Sequence, residues 1–145
     1  MDIDDPTPSG SFSYRVLTTP DFSGVNGDGR LHLVGMTGST SKDGSTIQLW
    51  LVNAKPSLDG LTGEIADNEI TGSNSTIEVF ETGPQAATMK HVRTFADSQI
   101  ATPNNVALTG DGGFYFTNDH GPHKVGWVCL VSSFYFTLED IGCLC

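Results

Sequence analysis

The pattern that most constrains the fold lies in residues 102–120, TPNNVALTGDGGFYFTNDH. Four apolar residues in it alternate with smaller or polar neighbours on either side of a Gly-Asp-Gly-Gly turn: Val106, Leu108, Phe114 and Phe116. This alternation predicts two short antiparallel strands joined by a tight turn, a β-hairpin. Pro103 has no backbone N–H to donate and therefore suits the first position of a strand. Asn104 and Asn105 are then expected at the mouth of the hairpin.

The rest of the chain also favours β-structure. The sequence holds 17 Gly and 7 Pro among short runs of Val, Ile, Phe and Thr, and no long stretch follows the period of a helix. Strands are predicted at four places before the hairpin: residues 30–36, 46–53, 76–82 and 89–96. The second of them, TIQLWLVN, is apolar at several positions on both faces, as expected of a sheet packed between two other sheets. Residues 54–72 are predicted as a connection without regular structure.

Two stretches ahead of these strands carry weaker patterns. Residues 12–17, FSYRVL, alternate and are predicted as one more strand. Residues 21–29 contain Asn-Gly and Asp-Gly pairs, which indicate turns. Asn26 and Asp28 resemble the start of an acidic calcium loop, but the later acidic positions are missing, which favours a plain turn. Composition and alternation would fit a β-sandwich as well as a propeller.

The charge of the chain argues against some classes of partner. The formal net charge is −10, and the seven Lys and Arg residues are spread along the chain. Nucleic acids and anionic membranes are bound by clusters of basic residues, so neither is an expected partner. The acidity suits calcium, although solvated surface carboxylates are the simpler explanation. The first ten residues have neither the basic nor the apolar region of a signal peptide, so none is predicted, and the localisation is left open.

The composition changes sharply after Trp127. Residues 128–145 contain all three cysteines of the chain, no Lys or Arg, and mostly apolar or aromatic side chains. Because this segment is shorter than the ~20 residues that span a bilayer and contains two acidic residues, no membrane-spanning segment is predicted. A zinc site is the alternative use of the cysteines, but Cys143 and Cys145 lack the usual two-residue gap. We expect this tail to be a read-through or frame-shifted end of an incomplete gene model.

The segment PNNVALTGDGGFYFTNDH resembles the corresponding part of the serum paraoxonase and arylesterase family. Further segments occur in the family's order and at compatible spacing: MDIDDP, IQLWLVN, GSNSTIEVFE and HVRTF. The resemblance covers roughly residues 1–127, is most specific in the hairpin, and stops where the tail begins. The chain is also similar, more loosely, to gluconolactonase-like propellers, which share the Pro-Asn before the corresponding strand.

The family consists of calcium-using hydrolases with a six-bladed β-propeller. The resemblance therefore implies an all-β chain that holds a partial propeller, about one and a half to two four-stranded blades. Residues 1–127 would form this partial propeller and residues 128–145 a non-homologous apolar tail. The propeller part would comprise the end of one blade, one complete blade and the first hairpin of the next, in residues 1–17, 30–97 and 102–120. Met1 would then be an internal methionine of a longer protein.

The resemblance also implies a calcium site. The family residue that matches Asn104 binds the calcium of the central channel, and this ion polarises the substrate carbonyl. An amide oxygen suits Ca²⁺, which gathers about six to eight oxygen ligands. Without the resemblance, the simpler interpretation is that Asn104 caps a turn with its own side chain. The resemblance favours the interpretation that Asn104 is a calcium ligand. Asn105 matches a family Asp that binds a second calcium, and it is the weaker candidate because Asn lacks the charge.

Asp119 and His120 belong to a run, Thr-Asn-Asp-His, that the family shares at the far end of the hairpin. The resemblance implies that these residues surround the channel, with Asp119 orienting His120 or a loop. The competing interpretation is an Asx turn that ends the strand. His123, after Gly121-Pro122, is predicted as a surface loop residue.

No catalytic base is assigned. The family has a histidine in a His-Gly pair that opens the strand matching residues 30–36, and here the pair is Val34-Gly35. His32 is displaced from that position by two residues. The Gly-x-Ser-x-Gly motif of serine hydrolases, the P-loop and the dinucleotide glycine motif are all missing from the sequence.

Two functions are left open. The resemblance implies a hydrolase of small aryl esters or lactones, in which calcium polarises the carbonyl and water attacks it. The alternative is a non-catalytic propeller that binds partners or serves as a scaffold. Val34 in place of the family histidine and Asn105 in place of the family Asp favour this alternative. We expect the 145-residue chain to be inactive by itself, because one protein ligand does not hold calcium against water. Its exposed blade faces would need the missing blades or self-association to be covered.

Overall fold

The computed structural model describes residues 2–6, 12–119 and 132–136, with side chains from residue 14 to residue 119. These parts of the chain form strands and one short helix: β1 Asp2–Pro6, β2 Phe12–Ser13, β3 Leu33–Thr40, β4 Ile47–Pro56, α1 Asn68–Thr71, β5 Ser73–Thr82, β6 Lys90–Phe95, β7 Pro103–Leu108, β8 Phe114–Asn118 and β9 Ser132–Phe136.

The strands form antiparallel sheets in which consecutive strands are neighbours. The orders are β1-β2, β3-β4-β5-β6 and β7-β8-β9. Short turns and alternating apolar residues favour this meander arrangement, because each strand can pair with the one just before it. The predicted fold class, all-β with a partial propeller, is confirmed. The four strands predicted between residues 30 and 96 correspond to the four-stranded sheet, whereas the division of the chain into blades stays a prediction.

The four-stranded sheet packs face to face against the β7-β8 hairpin through an apolar cluster. Its buried members come from both sheets and the loop between them: Trp50, Val52, Ile77, Val79, Phe95, Ile100, Val106, Phe114 and Phe116. Phe114 is fully buried, and its ring centroid lies 5.1 Å from that of Trp50 and 5.0 Å from that of Phe95. We call this cluster the aromatic interface. It fixes where the mouth of the hairpin lies relative to the four-stranded sheet.

The predicted hairpin is confirmed in detail. Val106 pairs with Phe116 and Leu108 pairs with Phe114, so the four alternating apolar residues form two cross-strand pairs. Asp111 closes the turn by accepting hydrogen bonds from the Thr109 hydroxyl and the Gly113 backbone N–H. Gly112 has a φ of 94°, a conformation that side chains other than glycine rarely adopt, so the Gly-rich sequence is required there.

The opposite face of the four-stranded sheet is covered by residues 14–32, which we call the strap. Phe22 is buried in the strap, with its ring centroid 5.3 Å from Phe80 and 5.0 Å from His91. Thr18 bridges to Thr88 in parallel fashion beside the sheet. Both faces of the central strands are therefore packed, as the two-sided apolar pattern of TIQLWLVN predicted.

Two local predictions were wrong. Within residues 12–17 only Phe12–Ser13 form a strand, and Tyr14 and Val16 are 80% and 72% exposed. Alternation in this stretch therefore did not reflect a buried face. Residues 54–72 are not wholly irregular, because β4 continues to Pro56 and α1 forms near the end, where the Asp67 side chain accepts from the backbone N–H of Glu69. No helix in the described ranges is long and apolar enough to cross a membrane.

The predicted tail is described only in part. Its residues Ser132–Phe136 form β9, which pairs with β8 in register from Phe114↔Phe136 to Asn118↔Ser132. The tail therefore contributes a strand to the same sheet as the hairpin. The three cysteines, His120 and His123 lie outside the described residues.

Candidate functional site

Asn104 lies in an irregular step of the β7-β8 ladder. Pro103 pairs with Asn118 and Asn105 pairs with Thr117, so two residues of β7 advance against one residue of β8. Such a bulge bends the strand and re-aims the side chain of the extra residue. The Asn104 side chain is exposed at this step. Sequence analysis placed Asn104 at the mouth of the hairpin and did not foresee that it would be the bulged residue.

The carboxylate of Asp119 holds the Asn104 side chain. Asn104 Nδ2 donates to Asp119 Oδ1 over 2.6 Å, across the mouth of the hairpin. The backbone N–H of Asp119 in turn donates to the carbonyl of Thr102 over 3.0 Å. Because the amide nitrogen is committed to Asp119, the amide oxygen of Asn104 is directed away from that carboxylate. The arrangement orients a hard, neutral oxygen donor at an exposed position.

A second set of hydrogen bonds fixes the approach to the bulge. Asn118 is buried, its Oδ1 accepts from the backbone N–H of Thr102 over 3.1 Å, and its Nδ2 donates to the carbonyl of Gln99 over 2.8 Å. Asn118 therefore ties the chain ahead of β7 to the end of β8. Sequence analysis assigned Asn118 only to the shared Thr-Asn-Asp-His run, and its buried anchoring role is now visible.

The backbone of β3 lies directly against Asn104. A Cβ atom at Gly35 would collide with the Asn104 carbonyl oxygen and lie 3.0 Å from the Asn105 Cα. The β3-β4 register also shifts between Leu33 and Met36, so Gly35 lies in an irregular step of its own. Only glycine allows this close approach of two backbones. The two irregular steps therefore meet at the candidate site.

A groove of about 360 Å³ opens beside this contact. It is lined by residues from β3, β4, β5, the loop before β7 and the end of β8, among them Val34, Lys55, Ser75, Thr102 and Asp119. Val34 is 52% exposed. The position at which the resemblance implies a histidine thus faces the same groove as Asp119 but carries an apolar side chain.

Asn105 is exposed, and its side chain bonds locally. Its Oδ1 accepts from the backbone N–H of Val106 over 2.9 Å. This bond uses one of the two lone pairs of the amide oxygen and leaves the other available to a ligand. Within residues 14–119, the amide oxygen of Asn104 is therefore less committed to protein groups than that of Asn105.

A polar network runs across the strap-facing side of the four-stranded sheet. Glu78 is fully buried, and its carboxylate accepts from Thr76 Oγ1 over 2.6 Å, from Thr94 Oγ1 over 2.5 Å and pairs with His91 Nε2 at 3.0 Å. Thr76 Oγ1 also accepts from Asn53 Nδ2 over 3.4 Å. Sequence analysis did not single out these residues. The period of two in TIEVFET places Thr76, Glu78 and Phe80 on one face and was the available signal.

Asn53 connects this network to His32, the residue just before β3. Its Oδ1 accepts from the backbone N–H of His32 over 2.7 Å, and the next residue, Ala54, donates its N–H to the His32 carbonyl over 2.8 Å. Both backbone groups of His32 are therefore fixed just ahead of the irregular step that contains Gly35.

An ion pair joins the strap to β4 beside the groove. Lys55 is 1% exposed, and its Nζ lies 2.5 Å from Asp28 Oδ2. This hydrogen bond, helped by the one from the Arg30 backbone N–H, lowers the pKa of Asp28 below its usual value. The predicted plain turn at Asn26 and Asp28 agrees with these contacts, since Asp28 binds Lys55 and the backbone of its own loop.

The predicted site residues are brought together in part. Asn104, Asn105 and Asp119 meet at one end of the hairpin, while His120 lies outside the described residues. Asp119 contacts Asn104, a partner that sequence analysis did not predict. Across residues 14–119, no three His, Cys, Asp or Glu side chains gather in a way that could hold a metal ion. Any cation at this site would therefore depend on amide and carbonyl oxygens as well as on Asp119.

Comparison with known proteins gives a match to a protein family. The family model described as Arylesterase matches residues 68–128, a segment that runs from α1 through the hairpin and includes Asn104, Asn105 and Asp119. No curated protein matches the chain. The family match supports a hydrolase of the paraoxonase type. Residues 68–128 thus carry arylesterase-family sequence, which confirms the predicted resemblance to the paraoxonase and arylesterase family.

Proposed function

We propose that this chain forms the calcium-binding part of a hydrolase that acts on aryl esters or lactones. The observation that carries the proposal is the exposed Asn104 in the bulge, whose amide nitrogen is held by Asp119 inside the segment that matches the arylesterase family. A side chain fixed through its nitrogen presents its oxygen with little conformational freedom to lose, which suits a metal ligand.

The donor set fits calcium. Asn104 and Asn105 offer amide oxygens, the hard oxygen donors that Ca²⁺ takes, and the Asp119 carboxylate beside them adds negative charge. Calcium gathers about six to eight oxygens, so water or other chain segments would supply the remainder. When bound, the ion would polarise the carbonyl of the ester or lactone toward attack by water.

The residues around the site have separate tasks in this proposal. Asn104 would be a ligand, with Asn105 as the weaker second one, and Asp119 would orient the Asn104 amide. The groove beside them, with apolar Val34 and Ala54 on its wall, would take the organic part of a small ester. Gly35 would let β3 approach closely enough to bring that wall beside Asn104.

The first test is calcium binding by the 145-residue chain, measured by isothermal titration calorimetry. Asn104 alone would not hold calcium against water, but Asn105 and the Asp119 carboxylate lie beside it, so we expect a weak site with a dissociation constant on the order of 1 mM, the range of loosely built calcium modules. Asn104→Ala should remove the binding isotherm. Asn74→Ala, which truncates another exposed asparagine, is the matched control and should leave it unchanged.

The second test addresses hydrolysis. Residues 102–119 would replace the corresponding hairpin of an active arylesterase of the family, and turnover of phenyl acetate and of a lactone would be followed with and without calcium. We expect calcium-dependent turnover by this chimera and its loss on Asn104→Ala. A chimera that folds and binds calcium but turns over neither substrate would refute the enzymatic proposal.

A second candidate function is a non-catalytic propeller that uses the same site for structure. Val34 favours it, because an apolar side chain lines the groove where the resemblance implies a histidine. A second chimera, in which residues 30–119 replace the corresponding segment of the same arylesterase, carries Val34 and is compared with its Val34→His variant to separate the two candidates. A hydrolase that lacks only its base should gain turnover from this change, whereas a scaffold should gain none.

A further inference from the structure

We infer that Glu78 is a positioning residue for Asn104, acting through Asn53 and β3. The inference rests on the proposed function, since the site it would position is the proposed calcium site. Glu78 lies on the face of the sheet that the strap covers and takes no part in the aromatic interface.

The hydrogen bonds from Asn53, Thr76 and Thr94 run toward the Glu78 carboxylate. The hydroxyls of Thr76 and Thr94 both donate to it, and Asn53 Nδ2 donates to the Thr76 hydroxyl. Successive donors that point the same way polarise one another, and a buried charged acceptor strengthens the series. The carboxylate therefore determines which way the Thr76 hydroxyl points and which end of the Asn53 amide faces it.

The Asn53 amide then fixes the start of β3. With Nδ2 directed to Thr76, its Oδ1 is the end that meets the backbone N–H of His32 at 2.7 Å. A rotated amide would bring a second N–H group against the His32 N–H and would expel it. The orientation set by Glu78 is thus the one that allows β3 to enter its irregular step at this place.

The irregular step of β3 links the position of His32 to that of Asn104. Gly35, three residues beyond His32, has its backbone against the Asn104 carbonyl oxygen and Asn105 Cα. A contact with no side chain between the two backbones does not absorb a displacement of β3, so a shift at His32 reaches the bulge of β7. Glu78 and Asn104 are therefore energetically coupled through β3.

The test uses the full 145-residue chain labelled with ¹⁵N and the variant Glu78→Gln, which keeps the shape of the side chain and removes its charge. The matched control is Glu81→Gln, a half-buried glutamate of the same strand whose carboxylate accepts from Gln48. We expect Glu78→Gln to shift the side-chain amide resonances of Asn53 and Asn104 without calcium, and Glu81→Gln to leave both in place. Unshifted Asn104 resonances in folded Glu78→Gln would overturn the inference.

The metal-dependent readout separates this inference from the proposed function. If the site binds calcium, Glu78→Gln should weaken its affinity about tenfold, as expected for a residue that orients a ligand, and Glu81→Gln should not. A wild-type chain that binds no calcium would refute the proposed function, while the calcium-free resonances would still decide the role of Glu78. Equal calcium affinities of wild type and Glu78→Gln would overturn the inference alone.

A milder variant covers the case in which Glu78→Gln does not fold. Thr94→Val removes a single donor to the carboxylate from an exposed position and retains the charge. We expect the side-chain amide resonances of Asn53 and Asn104 to shift from their wild-type positions, while Glu81→Gln leaves both in place. A folded Thr94→Val chain with only local changes around residue 94 would contradict the inference.

Discussion

The two faces of the four-stranded sheet differ in what holds them. The face toward the hairpin packs through aromatic rings, with Trp50 and Phe95 stacked at 5.5 Å between centroids and 13° between planes. The face toward the strap places buried Asn53, Thr76 and Glu78 next to Leu51 and Phe80. The face toward the hairpin is stabilised mainly by removing apolar area from water. The face toward the strap is stabilised also by hydrogen bonds between buried groups that have few other partners within reach.

The difference shows how stability and position are divided in this molecule. Apolar packing is tolerant of small shifts, because many arrangements bury similar area. A buried hydrogen-bonded network does not tolerate such shifts, because each misplaced group leaves a polar atom without a partner. We therefore expect changes on the aromatic face to affect the stability of the whole chain, and changes on the polar face to affect the geometry at Asn104 as well.

The largest effect is expected from Phe114→Ala in the aromatic interface. Phe114 is fully buried between Trp50, Phe95 and Phe116, and its removal leaves a cavity. The free energy of unfolding should fall by about 3–5 kcal/mol, measured by urea denaturation. Leu61→Ala, at a residue that is 98% exposed, should change it by less than about 0.5 kcal/mol. Similar losses for both variants would show that the interface does not hold the sheets together.

Gly35→Ala tests the contact between β3 and the bulge. The added methyl group would meet the Asn104 carbonyl, so one strand must move, and we expect a loss of about 2–3 kcal/mol in the free energy of unfolding. Gly60→Ala is the control, because no atom lies within 4 Å of its added Cβ. Thermal denaturation would compare the two variants, and equal melting temperatures would contradict the close approach.

Asn53→Ala probes the polar face. It leaves the His32 N–H and the Thr76 hydroxyl without one partner each, which should cost about 1–2 kcal/mol of unfolding free energy. Hydrogen exchange at the His32 amide should accelerate more than exchange at amides of the aromatic face. Uniform acceleration across both faces would argue that the network stabilises the chain without fixing β3 in particular.

The smallest effect concerns the ion pair of the strap. Because the hydrogen bond from Lys55 lowers the pKa of Asp28, this carboxylate stabilises the folded chain above its unfolded pKa, and the contribution is lost as the pH falls through the lower folded value. Wild type should therefore melt above Asp28→Asn at neutral pH, and the difference should shrink below about pH 4. A difference that persists unchanged at pH 2 would rule out the ion pair as its source.

The aromatic face and the hairpin could be predicted from the sequence because both follow local rules. Alternation identified Val106, Leu108, Phe114 and Phe116, and the Gly-rich turn set their register. Apolar residues on both faces of β4 also indicated that neighbours would cover both sides. These features depend on residues that are close in the sequence or repeat with a period of two.

The polar face and the details of the site depend on contacts between distant residues. The period of two in TIEVFET puts Glu78 on the same face as Phe80, but a glutamate in a strand is more often solvated, so its burial was not predicted. The pairing of Asn104 with Asp119 and the approach of Gly35 depend on two irregular steps, and a shift of register by one residue is not encoded in alternation. The same limit explains why the strand predicted from residue 30 begins at Leu33.

The central claim is that the amide oxygen of Asn104 faces a cation while Asp119 holds its nitrogen. A calcium titration followed through the side-chain ¹⁵N and ¹³C resonances of Asn104 and Asp119 tests it most directly. We predict a saturable shift of the Asn104 amide carbon, with the bond to Asp119 retained. Saturable shifts confined to other carboxylates, with both residues unchanged throughout, would contradict the account.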